Sequence, residues 1–63
     1  MTSMEFRQIR GYLEMSHRVL AGELSVTPAA VARWESGSES VPNLVALLMN
    51  ALQRRKRQRR RAS

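Results

Sequence analysis

The stretch that decides the fold reads SHRVLAGELSVTPAAVARWESGSESVPNL, residues 16–44. Its strongest boundary signal is Thr27 followed by Pro28, because threonine caps helices and proline suits the first helical position, where its missing N–H is not needed. Gly37 then supplies the left-handed conformation that commonly ends a helix. These signals predict a short helix from Pro28 to about residue 35.

A second short helix precedes this one. Ser16 is a good N-cap for a helix that runs to Leu24, and the small residue Ala21 in its middle suits close approach of the following helix. Residues 25–27 reverse the chain tightly, with Val26 expected to turn inward. Two short helices joined by a three-residue turn have the geometry of a helix-turn-helix.

The remaining body of the chain is also predicted to be helical. Thr2 and Glu5 fit a capping box, which together with the apolar spacing predicts a first helix over 3–14. Asn43 is a suitable cap for a last helix over 44–53. No segment has the period-two pattern of a strand, so the predicted fold class is all-α.

The predicted last helix is apolar on nearly all sides. One face consists of Leu44, Leu47, Leu48 and Ala51, and a second face consists of Val45, Met49 and Leu52. A helix of this kind is expected to be buried all round, and the core of so small a domain covers one face only. We therefore expect a homodimer with the second face as its interface.

Length and composition exclude several classes of protein. A chain of 63 residues holds one domain and buries only ~60% of its unfolded surface, so association adds needed stability. There is no cysteine and a single histidine, His17, so neither a disulfide nor a metal site is expected. No apolar run approaches the ~18 residues of a membrane span, and the N-terminus lacks a signal-peptide pattern. We expect a cytoplasmic protein.

Charge divides the chain into two parts. Residues 1–53 carry four arginines against five glutamates, whereas residues 54–61, RRKRQRRR, carry seven positive charges. We therefore predict a domain over 1–53 and a basic tail over 54–63 that is disordered when free. Such asymmetry points to a polyanionic partner, usually nucleic acid. The tail is open to three interpretations: a solvated end, an arm that adds DNA affinity, or an arginine-rich RNA-binding segment.

The chain resembles the Cro/CI-type (XRE) helix-turn-helix domain of phage and bacterial repressors over about residues 5–52. The matched residues are Ala21, Leu24, Val26, Thr27, Pro28, Val31, Trp34, Glu35, Ser36, Gly37 and Pro42. The chain departs from the family's pattern at Ser25, where glycine is usual, and at His17, where glutamine is common. A serine with positive φ at this turn would be mildly strained.

The resemblance implies a compact lambda-repressor-like domain of four or five helices, with a structural ion pair between Arg10 and Glu35. It also implies that the third helix lies in the major groove of DNA. The residues assigned to base edges are then Thr27, Pro28, Ala29, Ala32 and Arg33. Among these residues, only Arg33 is able to donate two hydrogen bonds to guanine. The alternative is that Arg33 is an ordinary solvated arginine.

The same resemblance assigns residues to the phosphate backbone on both sides of the groove. These are Ser16, His17 and Arg18 at the start of the second helix, and Ser36, Ser38, Ser40 and Asn43 in the following loop. The tail residues expected to add DNA affinity are Arg54, Arg55, Lys56 and Arg57. Phosphate contacts of this kind fix register rather than sequence.

These features favour a homodimeric, sequence-specific transcriptional repressor in a bacterial or phage-infected cell, bound to a pseudo-palindromic operator in double-stranded DNA. The family resemblance favours control of its own operon, as in repressors associated with anti-CRISPR genes. One alternative is RNA or nonspecific nucleic-acid binding through residues 54–61, and another is an antitoxin-like module that masks a partner protein. No nucleophile–base pair or phosphate-cradling loop is present, so neither an enzyme, a cofactor nor a small-molecule ligand is expected.

Overall fold

The computed structural model describes residues 1–62, with side chains through residue 59, and contains four helices over that part of the chain. They are α1 (Ser3–Leu13), α2 (His17–Leu24), α3 (Pro28–Ser36) and α4 (Asn43–Ala62). No strand occurs between residues 1 and 62, so the predicted all-α class is confirmed. None of these helices is long and apolar enough to cross a membrane.

Short polar side chains start the first three helices as predicted. The hydroxyl oxygen of Thr2 accepts the N–H of Glu5 at 3.1 Å, and the Glu5 carboxylate accepts the N–H of Thr2 at 2.9 Å, which completes the capping box. The Thr2 N–H, which has the larger effect, and the Thr2 hydroxyl both stabilise the ionised Glu5 carboxylate and lower the pKa of Glu5 from its ordinary value. Ser16 caps α2 and Thr27 caps α3 by a single bond each, in which the hydroxyl oxygen accepts the N–H of Val19 and of Ala30 respectively.

Left-handed residues end the same three helices. Gly37 closes α3 with a φ of 82°, as predicted. Ser25 closes α2 with a φ of 59°, the positive value expected where it replaces glycine. Glu14 closes α1 with the same φ of 59°, which no sequence signal indicated. Each non-glycine residue in this conformation costs roughly 1 kcal/mol or more.

The core lies where α1 packs against both α3 and α4, and where α2 packs against α3. Its largest fully buried side chains are Phe6, Leu20, Val31 and Met49. Trp34 joins them, and its ring meets Phe6 edge to face at a centroid distance of 5.9 Å. This geometry is one that aromatic pairs favour. The core therefore fixes α3 by its inner face.

The predictions for the last helix need two corrections. Asn43 is the first residue of α4 rather than its cap, since the N–H of Ala46 donates to the carbonyl of Pro42 at 3.0 Å. The helix does not end near residue 53 but continues to Ala62, so the basic tail is helical rather than disordered over the described residues. The prediction for residue 63 lies outside them.

One anchor accounts for the continuation of α4. Lys56 donates to the carbonyl oxygen of Tyr12 at 2.6 Å, lies 3.4 Å from the carboxylate of Glu14, and sits 5.1 Å from the centre of the Tyr12 ring. Arginine, lysine and glutamine are also good helix formers, and adding a turn to an existing helix avoids the cost of nucleation. High charge alone was a misleading sign of disorder here.

The predicted dimer face is also wrong in its residues. Met49 is completely buried, Val45 is 7% exposed, and Leu52 is half-buried against the core. The face left in solvent is the other one, with Leu44 68% exposed and Leu47 66% exposed. Both faces are apolar in sequence, and only the position of α1 decides which of them is covered.

Candidate nucleic-acid interface

The turn between α2 and α3 holds the two helices together through its central residue. Val26 is half-buried against the core, and its N–H donates to the carbonyl of Ala21 at 2.9 Å. Ala21 is almost completely buried, so its small side chain permits the helices to approach. The inward position predicted for Val26 is therefore confirmed.

The two sides of α3 differ sharply in exposure. Its inner side is buried and consists of Ala30, Val31, Trp34 and Glu35. Its outer side is exposed, together with the cap that precedes it, and consists of Thr27, Pro28, Ala29, Ala32 and Arg33. The five residues predicted to contact bases thus share one solvent-facing surface. The Thr27 hydroxyl oxygen accepts the N–H of Ala30 at 3.2 Å, and its own proton stays available to donate outward.

Arg33 has a partner on this surface that the sequence did not indicate. Its Nε donates to the carboxylate of Glu39 at 3.1 Å, and both side chains are about half exposed. Within residues 1–59 the terminal nitrogens of Arg33 donate no hydrogen bond. The outer surface of α3 therefore presents a cationic group whose orientation is set by a neighbouring carboxylate.

The predicted ion pair between Arg10 and Glu35 is present. Arg10 Nε lies 2.7 Å from one carboxylate oxygen, and Arg10 Nη2 donates to the other at 3.0 Å. The remaining nitrogen, Nη1, donates to the carbonyl of Met15 at 2.9 Å. Because Glu35 is only 8% exposed, this fork ties α1 to α3 from within the fold.

His17 completes this cluster instead of standing free at the start of α2. Its Nε2 lies 2.6 Å from the carboxylate of Glu35, which removes that nitrogen from the phosphate contact predicted for it. The neighbouring Ser16 and Arg18 are exposed as that prediction requires. The pairing was missed because 18 residues separate the two partners, and no local pattern brings them together.

The end of α3 and the loop after it expose the other predicted phosphate contacts. Ser36, the last residue of α3, is solvent-facing, as are Ser38 and Ser40 in the loop and Asn43 in the first turn of α4. The hydroxyl oxygens of Ser36 and Ser38 lie 2.5 Å apart, so these two side chains already share a hydrogen bond. Asn43 lies at the N-terminus of α4, where free amides favour an anion, and Ser40 lies three residues before it in the loop.

The basic half of α4 adds positive charge beside α1. A DNA-contacting role requires exposed side chains, and this holds for Arg54, Arg55 and Arg57. Lys56 instead contacts Tyr12 and Glu14, so its ammonium group is already paired within the fold. A surface cleft of about 410 Å³ separates this half of α4 from the end of α1. Leu13 and Leu52 contribute its apolar wall, and no residue of the outer α3 surface lines it.

No family model, characterised protein or solved structure matches the chain. Among the side chains of residues 1–59, no group of three or more histidine, cysteine, aspartate or glutamate residues is placed to hold a metal ion. The outer side of α3 presents hydroxyl and methyl groups together with the Arg33 guanidinium, which is paired with the Glu39 carboxylate.

Proposed function

We propose that the protein is a sequence-specific DNA-binding regulator with a lambda-repressor-like helix-turn-helix domain, acting as a homodimeric transcriptional repressor. The observation that carries this proposal is the division of α3 into a buried side and an exposed side that presents Arg33. A helix held in this manner enters the major groove with its exposed side toward the bases. Arg33 supplies the fork that matches the O6 and N7 atoms of guanine.

Groups on both flanks of α3 support the same orientation. Ser16 and Arg18 lie before it in the chain at the start of α2. Ser40 follows it in the loop, and Asn43 is the first residue of α4. Helix N-terminal amides and short polar side chains bind phosphate oxygens well. In this arrangement the two flanks hold the backbone on each side of the groove, and α3 selects the sequence.

The exposed face of α4 supports self-association. Leu44, Leu47 and Leu48 form a stripe of large apolar side chains in solvent, with Leu47 66% exposed. Contiguous apolar surface of this kind marks a contact site. In a twofold dimer, two copies of α3 contact half-sites about one helical turn of DNA apart, and the operator is a pseudo-palindrome.

The decisive experiment is selection of bound duplexes from a random DNA library at ~150 mM salt, a concentration at which nonspecific phosphate binding is weak. Enrichment of a palindrome with two half-sites is the expected result. An Arg33→Ala variant, selected in parallel, should lose the preference for one G·C pair in each half-site. Binding without any enriched sequence would contradict the proposal.

The charge of the basic half of α4 supports a second candidate, which is nonspecific binding of DNA or RNA through residues 54–61. The measurement that separates the two is binding by a chain truncated after Gln53, a position beyond the apolar half of α4. A sequence-reading protein keeps its base preference at reduced affinity. A protein that binds through its basic segment loses all binding, and Arg33→Ala changes nothing.

A further inference from the structure

The segment that follows α3 is folded around the backbone of Arg33. The N–H of Gly37 donates to the carbonyl oxygen of Arg33, and the N–H groups of Ser38 and Glu39 approach the same oxygen at 3.1 and 3.4 Å. The hydroxyl of Ser36 also donates to it at 3.1 Å. Four donors thus converge on one carbonyl, and the loop is closed tightly over the last turn of α3.

This closure fixes where the side chain of Glu39 lies. Because its own N–H is bound to the Arg33 carbonyl, its carboxylate is placed beside the Arg33 guanidinium and accepts Nε at 3.1 Å. The contact spans six residues and has a main-chain and a side-chain component. An exposed ion pair contributes little to stability by itself, so stabilising the fold is a weak reason for this arrangement.

The chemistry of the guanidinium gives the contact a stronger consequence. The group is planar, and its edge opposite Nε carries the two terminal nitrogens that donate as a pair. A carboxylate bound to Nε restricts the plane of Arg33 and leaves that far edge open. The same carboxylate repels phosphate oxygens, so it disfavours the alternative in which Arg33 swings to the DNA backbone.

We propose that Glu39 is a positioning residue for base recognition, which orients the free edge of Arg33 toward a guanine and keeps Arg33 from the phosphates. This inference rests on the proposed function, since it requires α3 to lie in the major groove. Glu39 contacts no base in this arrangement. Its effect is a gain in sequence discrimination at the expense of overall affinity for DNA.

The test uses two variants that lose the same charge and differ in one acceptor atom. Glu39→Ala removes the carboxylate, whereas Glu39→Gln keeps an amide oxygen that is able to accept Nε. Glu23→Ala is the control for charge, because Glu23 is exposed on α2 and forms no ion pair within residues 1–59. Each protein is titrated with the selected operator and with a duplex in which the pair read by Arg33 is changed from G·C to A·T.

The wild-type protein is expected to prefer the operator by roughly 5- to 150-fold over the changed duplex, the range given by one two-donor contact to guanine. Glu39→Ala should reduce that ratio to about threefold or less while binding the changed duplex more tightly, because a freed Arg33 gains a phosphate. Glu39→Gln should retain most of the ratio, and Glu23→Ala should retain all of it. Equal ratios in all four proteins would overturn the inference, as would equal losses in both Glu39 variants.

A measurement without DNA separates failure of this inference from failure of the proposed function. NMR relaxation of the Arg33 Nε–H group measures how mobile the side chain is in the free protein. The group is expected to be rigid in the wild-type protein and in Glu39→Gln, and mobile in Glu39→Ala. Identical Nε–H dynamics in the three proteins would overturn the positioning role whatever the DNA result. An ordered Nε–H combined with no base preference in the wild-type protein would instead overturn the proposed function, and the recognition role of Glu39 with it.

Discussion

Arg10 on α1 and Glu35 on α3 form a two-point ion pair, with Nε 2.7 Å from one carboxylate oxygen and Nη2 donating to the other at 3.0 Å. His17 approaches the same carboxylate at 2.6 Å from the start of α2. One buried carboxylate therefore links the first three helices. In a chain without disulfides, such a link also fixes the orientation of α3 relative to the proposed phosphate contacts on α2.

Removing one partner of this cluster is predicted to destabilise the fold strongly. In Arg10→Ala the Glu35 carboxylate stays buried without the guanidinium that neutralises it, and the free energy of unfolding should fall by about 3–5 kcal/mol. Urea denaturation followed by circular dichroism measures the change. Arg7→Ala, an exposed residue on the same helix, is the control and should change stability by less than about 0.5 kcal/mol. If Arg10→Ala also changed stability by less than about 0.5 kcal/mol, the ion pair would not be structural.

The starts of the first three helices and the end of α3 were predictable from the sequence because their signals are local. The caps at Thr2, Ser16 and Thr27 each act on an N–H three residues away, and Gly37 ends its own helix. A short window of residues contains everything that such a contact needs.

The features that escaped prediction depend on where distant parts of the chain meet. Val45 and Met49 are buried where α1 packs against α4, and the opposite face of the same half of the helix is just as apolar in sequence. The contact of His17 with Glu35 requires the finished packing of α2 on α3. The contact of Glu39 with Arg33 requires the loop to turn back onto α3. No periodicity in the sequence encodes these tertiary contacts.

The capping box at α1 predicts a specific dependence of stability on pH. Hydrogen bonds to Thr2 lower the pKa of Glu5 below its ordinary value of 4.5. A depressed carboxyl pKa adds stability that is present above the unfolded value and is lost as the pH falls through the folded value. The melting temperature of Glu5→Gln should therefore lie below that of the wild-type protein at pH 7, and the difference should shrink as the pH falls below 4.5. A difference that stays constant with pH would contradict this.

Ser25 is predicted to be a site where glycine stabilises the fold. Its φ of 59° is a conformation that glycine adopts without steric cost, so Ser25→Gly should raise the free energy of unfolding by up to about 1 kcal/mol. Ser40→Gly is the matched control, because Ser40 has a negative φ and the change there should be neutral or destabilising. Thermal unfolding of both variants measures the effect. Destabilisation by Ser25→Gly would indicate that the serine side chain makes a contact of its own.

The exposed face of α4 is predicted to carry the dimer contact. Leu47→Glu should convert the protein to a monomer while leaving its helical signal unchanged, because Leu47 is 66% exposed and lies outside the core. Sedimentation equilibrium measures the change. Met4→Glu, at a position of similar exposure on α1, is the control and should not alter association. A protein that is monomeric without any substitution would contradict this prediction, and Leu47→Glu would then change nothing.

Substitution on the buried face of α4 is predicted to affect folding, whereas substitution on the exposed face affects association. Met49→Ala should reduce the free energy of unfolding by about 2–5 kcal/mol, since it leaves a cavity beside a completely buried position. Loss of association in Met49→Ala without loss of stability would favour an interface at that residue.

The helical structure of the basic half of α4 is predicted to depend on Lys56 and not on Arg57, although both residues carry one positive charge. Lys56→Gln and Arg57→Gln each remove one positive charge, but only Lys56 binds Tyr12 and Glu14. Lys56→Gln should therefore lose helical signal from residues 54–62, whereas Arg57→Gln should keep it. Circular dichroism at low protein concentration measures the difference, with the chain truncated after Gln53 as the reference for complete loss of this segment.

The salt dependence of DNA affinity should change in Arg57→Gln and not in Lys56→Gln, the reverse of the effect on helical signal. Arg57 is exposed, so its removal should lower the salt dependence of DNA affinity by about 0.9 in log–log slope for one lost phosphate contact. Lys56 is committed to α1, and its removal should leave the slope unchanged or raise it slightly as the freed segment reaches more of the backbone. Equal slope changes in both variants would show that the basic segment binds DNA as an unanchored chain.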